Sequence, residues 1–298
     1  MTRLWMGLTL GIGLAACGGT PPFGGDATEP GGSTAAGAVF LTDESEDLTL
    51  NNVSYNAATD TLTLNNIPFD DPNNAYERIP TEAFTNGFDA YQSAPAAGSQ
   101  ELQYFAVFRR SDSGRTQVAA AGTGTYISFG FGGAGAQRLS VNPSLPNTGI
   151  YTYAGEYAGV RTTIVPGAPS NTVEYVTGDA GLAADFNDFD VVGNVGNAVG
   201  GTIENRQVYD TDGVLIGALA GYLTLANGSI DRSTGTILSS TVSEVVGGTI
   251  VRSGNWNGVL AGPGGTEIAG VLFVEGDDIR ETGGFISNCV DTPPTICP

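Results

Sequence analysis

From residue 150 onward, aromatic or aliphatic residues alternate with small or polar ones in run after run, and the runs are separated by Gly, Asn or Asp. Such alternation marks strands with one buried face, because successive side chains point to opposite sides of the pleat. Eight runs stand out, at 150–165, 173–187, 198–209, 219–232, 234–246, 248–262, 266–275 and 279–287. On the first, Tyr151, Tyr153, Gly155, Tyr157 and Gly159 share a face; on the sixth, Gly254, Trp256, Gly258, Leu260 and Gly262 do. No stretch shows a long helical period. Glycine takes 45 of 298 positions without a three-residue repeat, which excludes collagen and supplies turns and small barrel-lining positions. Eight consecutive strands of this kind are predicted to close into an up-and-down barrel, which leaves no open edge.

A second β-rich region lies upstream of the Pro/Asn-rich stretch 142–149. Leu48 to Tyr55 (LTLNNVSY) nearly recurs as Leu62 to Phe69 (LTLNNIPF), and the turn chemistry of Asn56 to Thr61 between them predicts a hairpin. Leu102 to Arg109 is apolar on both faces, as a covered strand should be. Gly124 to Phe131 alternates, with Ile127, Phe129 and Phe131 on one face, and predicts another strand. Gly130, Gly132 and Gly135 spell a dinucleotide-type G-x-G-x-x-G. That site needs a helix N-terminus next, whereas Pro143 and Pro146 follow without helical period, so these are read as glycines of a strand or bend. No cofactor is expected.

Charge and missing residues narrow the chemistry. There are 31 acidic residues against 11 basic ones, all Arg, for a net charge of -20. Such a surface repels phosphate backbones, so nucleic acid is not an expected partner. With no His and no Lys, catalytic triads, His-held zinc or haem, Schiff bases and P-loop lysines are excluded. An enzyme would have to run on carboxylates, tyrosines, arginines or a hard metal. A carboxylate glycosidase is the enzymatic alternative, but no spacing singles out a pair.

The N-terminus has a signal's three parts. Arg3 supplies the positive charge, and Leu4 to Leu14 form an apolar core of 11 residues, too short to span a bilayer. Leu14-Ala15-Ala16-Cys17 resembles the lipobox of bacterial lipoproteins, which implies cleavage before Cys17 and lipid on its thiol. Gly18 stands where lipoproteins retained in the inner membrane often carry Asp, so that resemblance implies the outer membrane. Residues 17–37 are rich in Gly and Pro and read as a tether. In an oxidising compartment, Cys289 and Cys297 are predicted to close a small disulfide loop.

The barrel region resembles the transferrin-binding protein B-like surface lipoproteins of Gram-negative bacteria. Trp256 to Phe273 (WNGVLAGPGGTEIAGVLF) carries the closest likeness: an aromatic/Gly strand turns at Gly-Pro and returns through Glu-x-x-Gly into an apolar run. Tyr153-Ala154-Gly155, Gly181 to Phe186 and Gly201 to Asn205 add to it. The resemblance implies one handle plus one barrel, with ligand contacts on loops. The name-giving receptors have two such lobes where this chain has room for one, so no ligand-contact residue is carried over.

The expected organisation is all-β: signal peptide 1–16, tether 17–37, β-rich handle 38–148, eight-stranded antiparallel barrel 149–287, and disulfide loop 288–298. The expected function is non-catalytic binding of a protein or small molecule from a lipid anchor at the outer membrane. A structural envelope lipoprotein is the alternative. Two acidic clusters, Asp185 to Asp190 and Asp210-Thr211-Asp212-Gly213, lack a calcium loop's remaining ligands and are read as solvated turns, with no metal expected.

Overall fold

The computed structural model describes residues 37–298, apart from 42–47, 71–73, 80–83, 85, 96, 126–127, 188–194 and 293–295. Two antiparallel sheets account for it. The first contains β1 (Ala38–Phe40), β2 (Asn52–Asn56), β3 (Thr61–Asn65) and β4 (Tyr76–Arg78). It continues with β5 (Asp89–Gln92), β6 (Phe105–Arg110), β7 (Thr116–Gly122) and β8 (Gly132–Arg138). Its eight strands run in the order β1-β8-β7-β6-β5-β4-β3-β2. The sheet curls until β2 faces β7 and β8 again. There the Gln117 amide donates to Val53 O at 3.1 Å and to Gln137 Oε1 at 2.6 Å, and Gln137 reaches Asn52 Oδ1. Side-chain amides thus satisfy polar groups across a seam where the backbone adds a bridge at Leu48↔Gly132, with Thr49 N donating to Gly132 O at 3.0 Å.

The second sheet contains β9 (Ile150–Thr163), β10 (Thr172–Asp185), β11 (Val195–Tyr209) and β12 (Leu215–Ala218). Then come β13 (Tyr222–Asp231), β14 (Thr236–Val246), β15 (Thr249–Ala261), β16 (Glu267–Glu275) and β17 (Ile279–Val290). β17 pairs back onto β9 from Ile279↔Thr163 to Val290↔Thr152, which closes an eight-stranded barrel. The short β12 is a ninth strand, paired with the far end of β11 alone. Among the described residues there is no α-helix.

The barrel fills its own interior. Tyr153, Tyr157, Phe186, Trp256 and Phe285 are fully buried in one cluster with Leu182, Ile203, Leu260 and Leu272. Burying each large side chain contributes about 1.5–3 kcal/mol. Glycine opposite an aromatic makes the fit possible: a Cβ on Gly270 would lie 2.3 Å from the Phe285 ring, and one on Gly283 would lie 2.3 Å from the Tyr157 hydroxyl. The Trp256 indole N–H donates to Ala226 O at 2.9 Å, so its polar atom is satisfied inside the wall.

A second cluster joins the two sheets. Val118, Ala120, Ala134 and Ala136 of the handle lie on Ala158, Val160, Ala269, Val271 and Ile286 of the barrel's outer face. Polar clamps surround it. Glu267, buried, accepts from Ser113 Oγ at 2.6 Å and from Thr116 Oγ1, and Arg138 donates to Leu260 O at 2.8 Å and Thr234 O at 2.7 Å.

The hairpin predicted at Leu48–Phe69 is β2–β3, in register Val53↔Leu64 and Tyr55↔Leu62. The strand predicted over 124–131 is not one. Ser128 (φ 55°) and Gly130 (φ 70°) break an extended run there, Ile127 lies outside the described residues, and the strand begins only at Gly132. Gly132 and Gly135 sit within β8, so the glycine motif belongs to a strand and a bend.

Candidate functional site

The barrel has two ends, which strand register identifies. The loops 164–171, 210–214, 247–248 and 276–278 gather at one, called here the free rim. The turns 232–235 and 262–266 gather at the other, the root, where β10 also ends at Asp185. The chain joins the fold at the root: Ala38 pairs with Gln137, and Gly37 O accepts from Arg138 N at 2.8 Å. The C-terminal disulfide, Cys289–Cys297, is also at the root, its S–S bond 2.01 Å long. Cys17, the predicted lipid site, lies outside the described residues.

Both ends are stoppered. At the root, the 139–149 connection lays Leu145 into the barrel core, and Arg232 holds it through Pro146 O and Asn147 Oδ1, both at 2.8 Å. Toward the free rim the stopper is ionic. Arg206, completely buried, donates to Glu244 Oε1 at 2.9 Å and to Glu281 Oε2. Arg161 reaches Glu281 Oε2 at 3.1 Å, and Arg252 reaches Glu244 Oε2 at 2.6 Å. Tyr157 Oη donates to Glu281 Oε1 at 2.9 Å.

Three guanidiniums therefore hold two carboxylates in a dry interior, where attraction is strong but desolvation is costly. Burial alone would raise the Glu244 carboxyl; Arg206 and Arg252 outweigh it and leave the group below its ordinary range. Burial, and then Glu281, hold the Tyr157 phenol well above its ordinary value, so it stays a donor. Burial would lower Arg206, yet Glu281, Tyr157 and Glu244 raise it. Every member of this cluster is committed to another, an arrangement that fixes structure rather than presenting a reactive group.

With the interior filled, contact surface is left on the outside. At the free rim several apolar side chains are exposed: Val214 (62 % exposed), Leu215 (55 %) and Ile216 (59 %) on and before β12, and Ile250 (61 %), Val251 and Tyr222 on β15 and β13. Tyr222, Val245 and Ile250 lie in one cross-strand row. Asp212, Asp277 and Asp278 are exposed on the same rim. The arginines of this end are turned inward or paired: Arg161, Arg206 and Arg252 with the buried glutamates, and Arg280 with Glu275 at 2.6 Å. The rim is apolar and acidic.

The two acidic clusters behave as turns where they are described. Asp210 Oδ1 accepts from the N–H groups of Asp212 (3.0 Å) and Val214 (2.8 Å), and Asp185 Oδ1 accepts from Asn187 N at 2.8 Å. Asp188 and Asp190 lie outside the described residues. Among the described residues no three His, Cys, Asp or Glu side chains gather as a metal ion would need. Sequence reading missed the ionic stopper and strand β12.

No protein-family model matches the chain, and no curated protein matches it. Solved structures do. A double mutant of transferrin binding protein B from Haemophilus parasuis Hp5 is similar at 12 % identity and a TM-score of 0.41, covering 81 % of this chain and 42 % of that one. A single mutant of the same protein gives 10 % identity and 0.43, covering 85 % and 45 %. Intact Ap-TbpB, with N and C lobes, gives 10 % identity and 0.33, covering 80 % and 43 %. This chain thus spans under half the length of these three structures, as one handle and one barrel.

Proposed function

We propose that this protein is a lipid-anchored, non-catalytic binding lobe of the outer membrane that presents the free rim of its barrel to an external protein. The observation that carries the reading is polarity. The chain joins the fold at the root, while Val214, Leu215, Ile216 and Ile250 are exposed at the opposite end. A tether that leaves at the root would point the rim away from the membrane. Apolar side chains exposed among acidic ones at one end of a domain favour an interaction surface there. In this reading residues 1–16 are a signal peptide, Cys17 carries lipid, 17–37 are the tether, 38–148 the handle, 149–287 the barrel and 288–298 the disulfide loop. The absence of His and Lys from the chain, with the interior carboxylates tied to arginines, supports a role without catalysis.

The test combines two substitutions. Cys17→Ser should move the protein from the membrane fraction to the soluble one, because acyl chains would no longer hold it. Ile250→Cys should react with a membrane-impermeant maleimide on intact cells. A probe that reacts only after the outer membrane is broken would refute surface display. Crosslinks from that cysteine that reach only neighbouring envelope proteins would favour a structural envelope lipoprotein.

A further inference from the structure

β12 is an open strand edge among the described residues. It pairs with β11 through Gln207↔Ala218, Val208↔Gly217 and Tyr209↔Leu215, and among the described residues no strand lies on its other side. Leu219 N donates to Arg206 O at 2.9 Å. In an antiparallel pair such bonds fall on alternate residues, so the backbone N–H and C=O of Ala218 face outward. Leu215 and Ile216 are both exposed, beside a register shift between Val208 and Tyr209 at which Ile216 is the extra residue. Unpaired backbone groups beside apolar side chains recruit another strand; β12 is short and bears a register shift, but it lacks the Lys or Pro with which proteins also blunt such an edge. β12 (LIGA) carries no charge and no proline.

We propose that the outer edge of β12 takes an extended, basic polypeptide segment by strand addition. The proposal deepens the reading of the free rim as a binding surface and rests on it. Main-chain hydrogen bonds to Ala218 would supply register, and alternate side chains of the incoming segment would meet Leu215 or Ile216. The choice of a basic segment comes from charge. Asp212 is exposed in the turn that leads into β12, the chain carries a net charge of -20, and the arginines of that end are committed to carboxylates within the protein. A second copy of the chain would bring another net charge of -20 to the same edge, so self-pairing is disfavoured.

The experiment uses the full chain in neutral detergent and three synthetic ten-residue probes. One alternates Val and Arg, one alternates Val and Glu, and the third is the Val/Arg peptide with N-methyl groups on every amide. The Val/Arg probe should bind, slow amide exchange across 215–218, and weaken as salt is raised. The N-methylated probe and an Ala218→Pro protein should each lose at least tenfold in affinity, since each removes edge hydrogen bonds while keeping charge. Proline is tolerated on an edge strand, and the N-methylated probe leaves the protein untouched, so misfolding cannot imitate the result. Equal binding of the methylated probe, equal binding of the Val/Glu probe, or no protection at 215–218 would overturn the proposal. So would light scattering that finds the chain already dimeric through β12. Maleimide labelling on cells reads surface display independently, so failure of strand addition and failure of that reading are separable.

Discussion

Tyr157 Oη donates to Glu281 Oε1 at 2.9 Å across two strands, β9 and β17, whose pairing closes the barrel. Glu281 also receives Arg161 and Arg206, so the closing seam and the ionic stopper share one carboxylate. Removing that carboxylate leaves two buried guanidiniums short of a counter-charge. Glu281→Gln is expected to destabilise the protein by about 3–5 kcal/mol, whereas Tyr157→Phe should cost about 1 kcal/mol. Urea unfolding midpoints followed by circular dichroism would decide; equal midpoints for both variants would contradict this account.

Acid should loosen the same region. Glu244 titrates below its ordinary value of 4.5 in the folded protein, because Arg206 and Arg252 outweigh the effect of burial. A carboxylate depressed by folding stabilises fully above its unfolded pKa, and that contribution drains away as pH falls through the lower folded value. Stability should therefore decline below about pH 4.5, and Glu244→Gln should be less stable at neutral pH yet lose less on acidification. Urea titrations at several pH values, comparing the two proteins, read this difference in slope.

Glu267 ties the barrel to the handle by accepting from Ser113 and Thr116. Glu267→Ala leaves the buried Thr116 hydroxyl without its acceptor at the junction, and a loss of about 1–3 kcal/mol is expected. If the handle were held by its apolar contacts alone, differential scanning calorimetry would show an unchanged transition.

The bond between Cys289 and Cys297 spans 8 positions, a short loop. Chain entropy assigns such a closure about 2–3 kcal/mol. Replacing both cysteines with Ala should cost no more than this and should expose the segment after Val290 to carboxypeptidase. Mass spectrometry of the digest reads the outcome, and an unclipped tail in the double variant would count against it.

Much of the barrel was legible because one face of each strand must be apolar. The phase set by Tyr153, Tyr157 and Gly159 runs on to Arg161, and that of Trp256 and Gly254 runs back to Arg252, so inward-facing charges were written in the alternation. Charge alone argued the other way, since arginine is ordinarily solvated. Arg206 was out of reach. Thr177 pairs with Gln207 but Asp179 with Glu204, so β11 holds one extra residue, and Asn205 sits at φ 52°. That bulge shifts the parity, and Ile203 and Arg206, an odd number apart, both face inward. Residues 124–131 failed in the opposite way: apolar side chains alternate on a backbone that turns. β12 escaped notice because a tight Asp-Gly turn precedes only four residues of strand. Cys17 and the tether rest on sequence alone.

The seam between handle and barrel has a kinetic corollary. Small side chains from both sheets interlock there, and the Arg138 and Glu267 clamps cross it at the root. A partner that touched residues of both halves would meet a surface already set in its bound arrangement. Little freedom would then be surrendered on docking, so encounter should be fast and selectivity should reside in how slowly the complex comes apart.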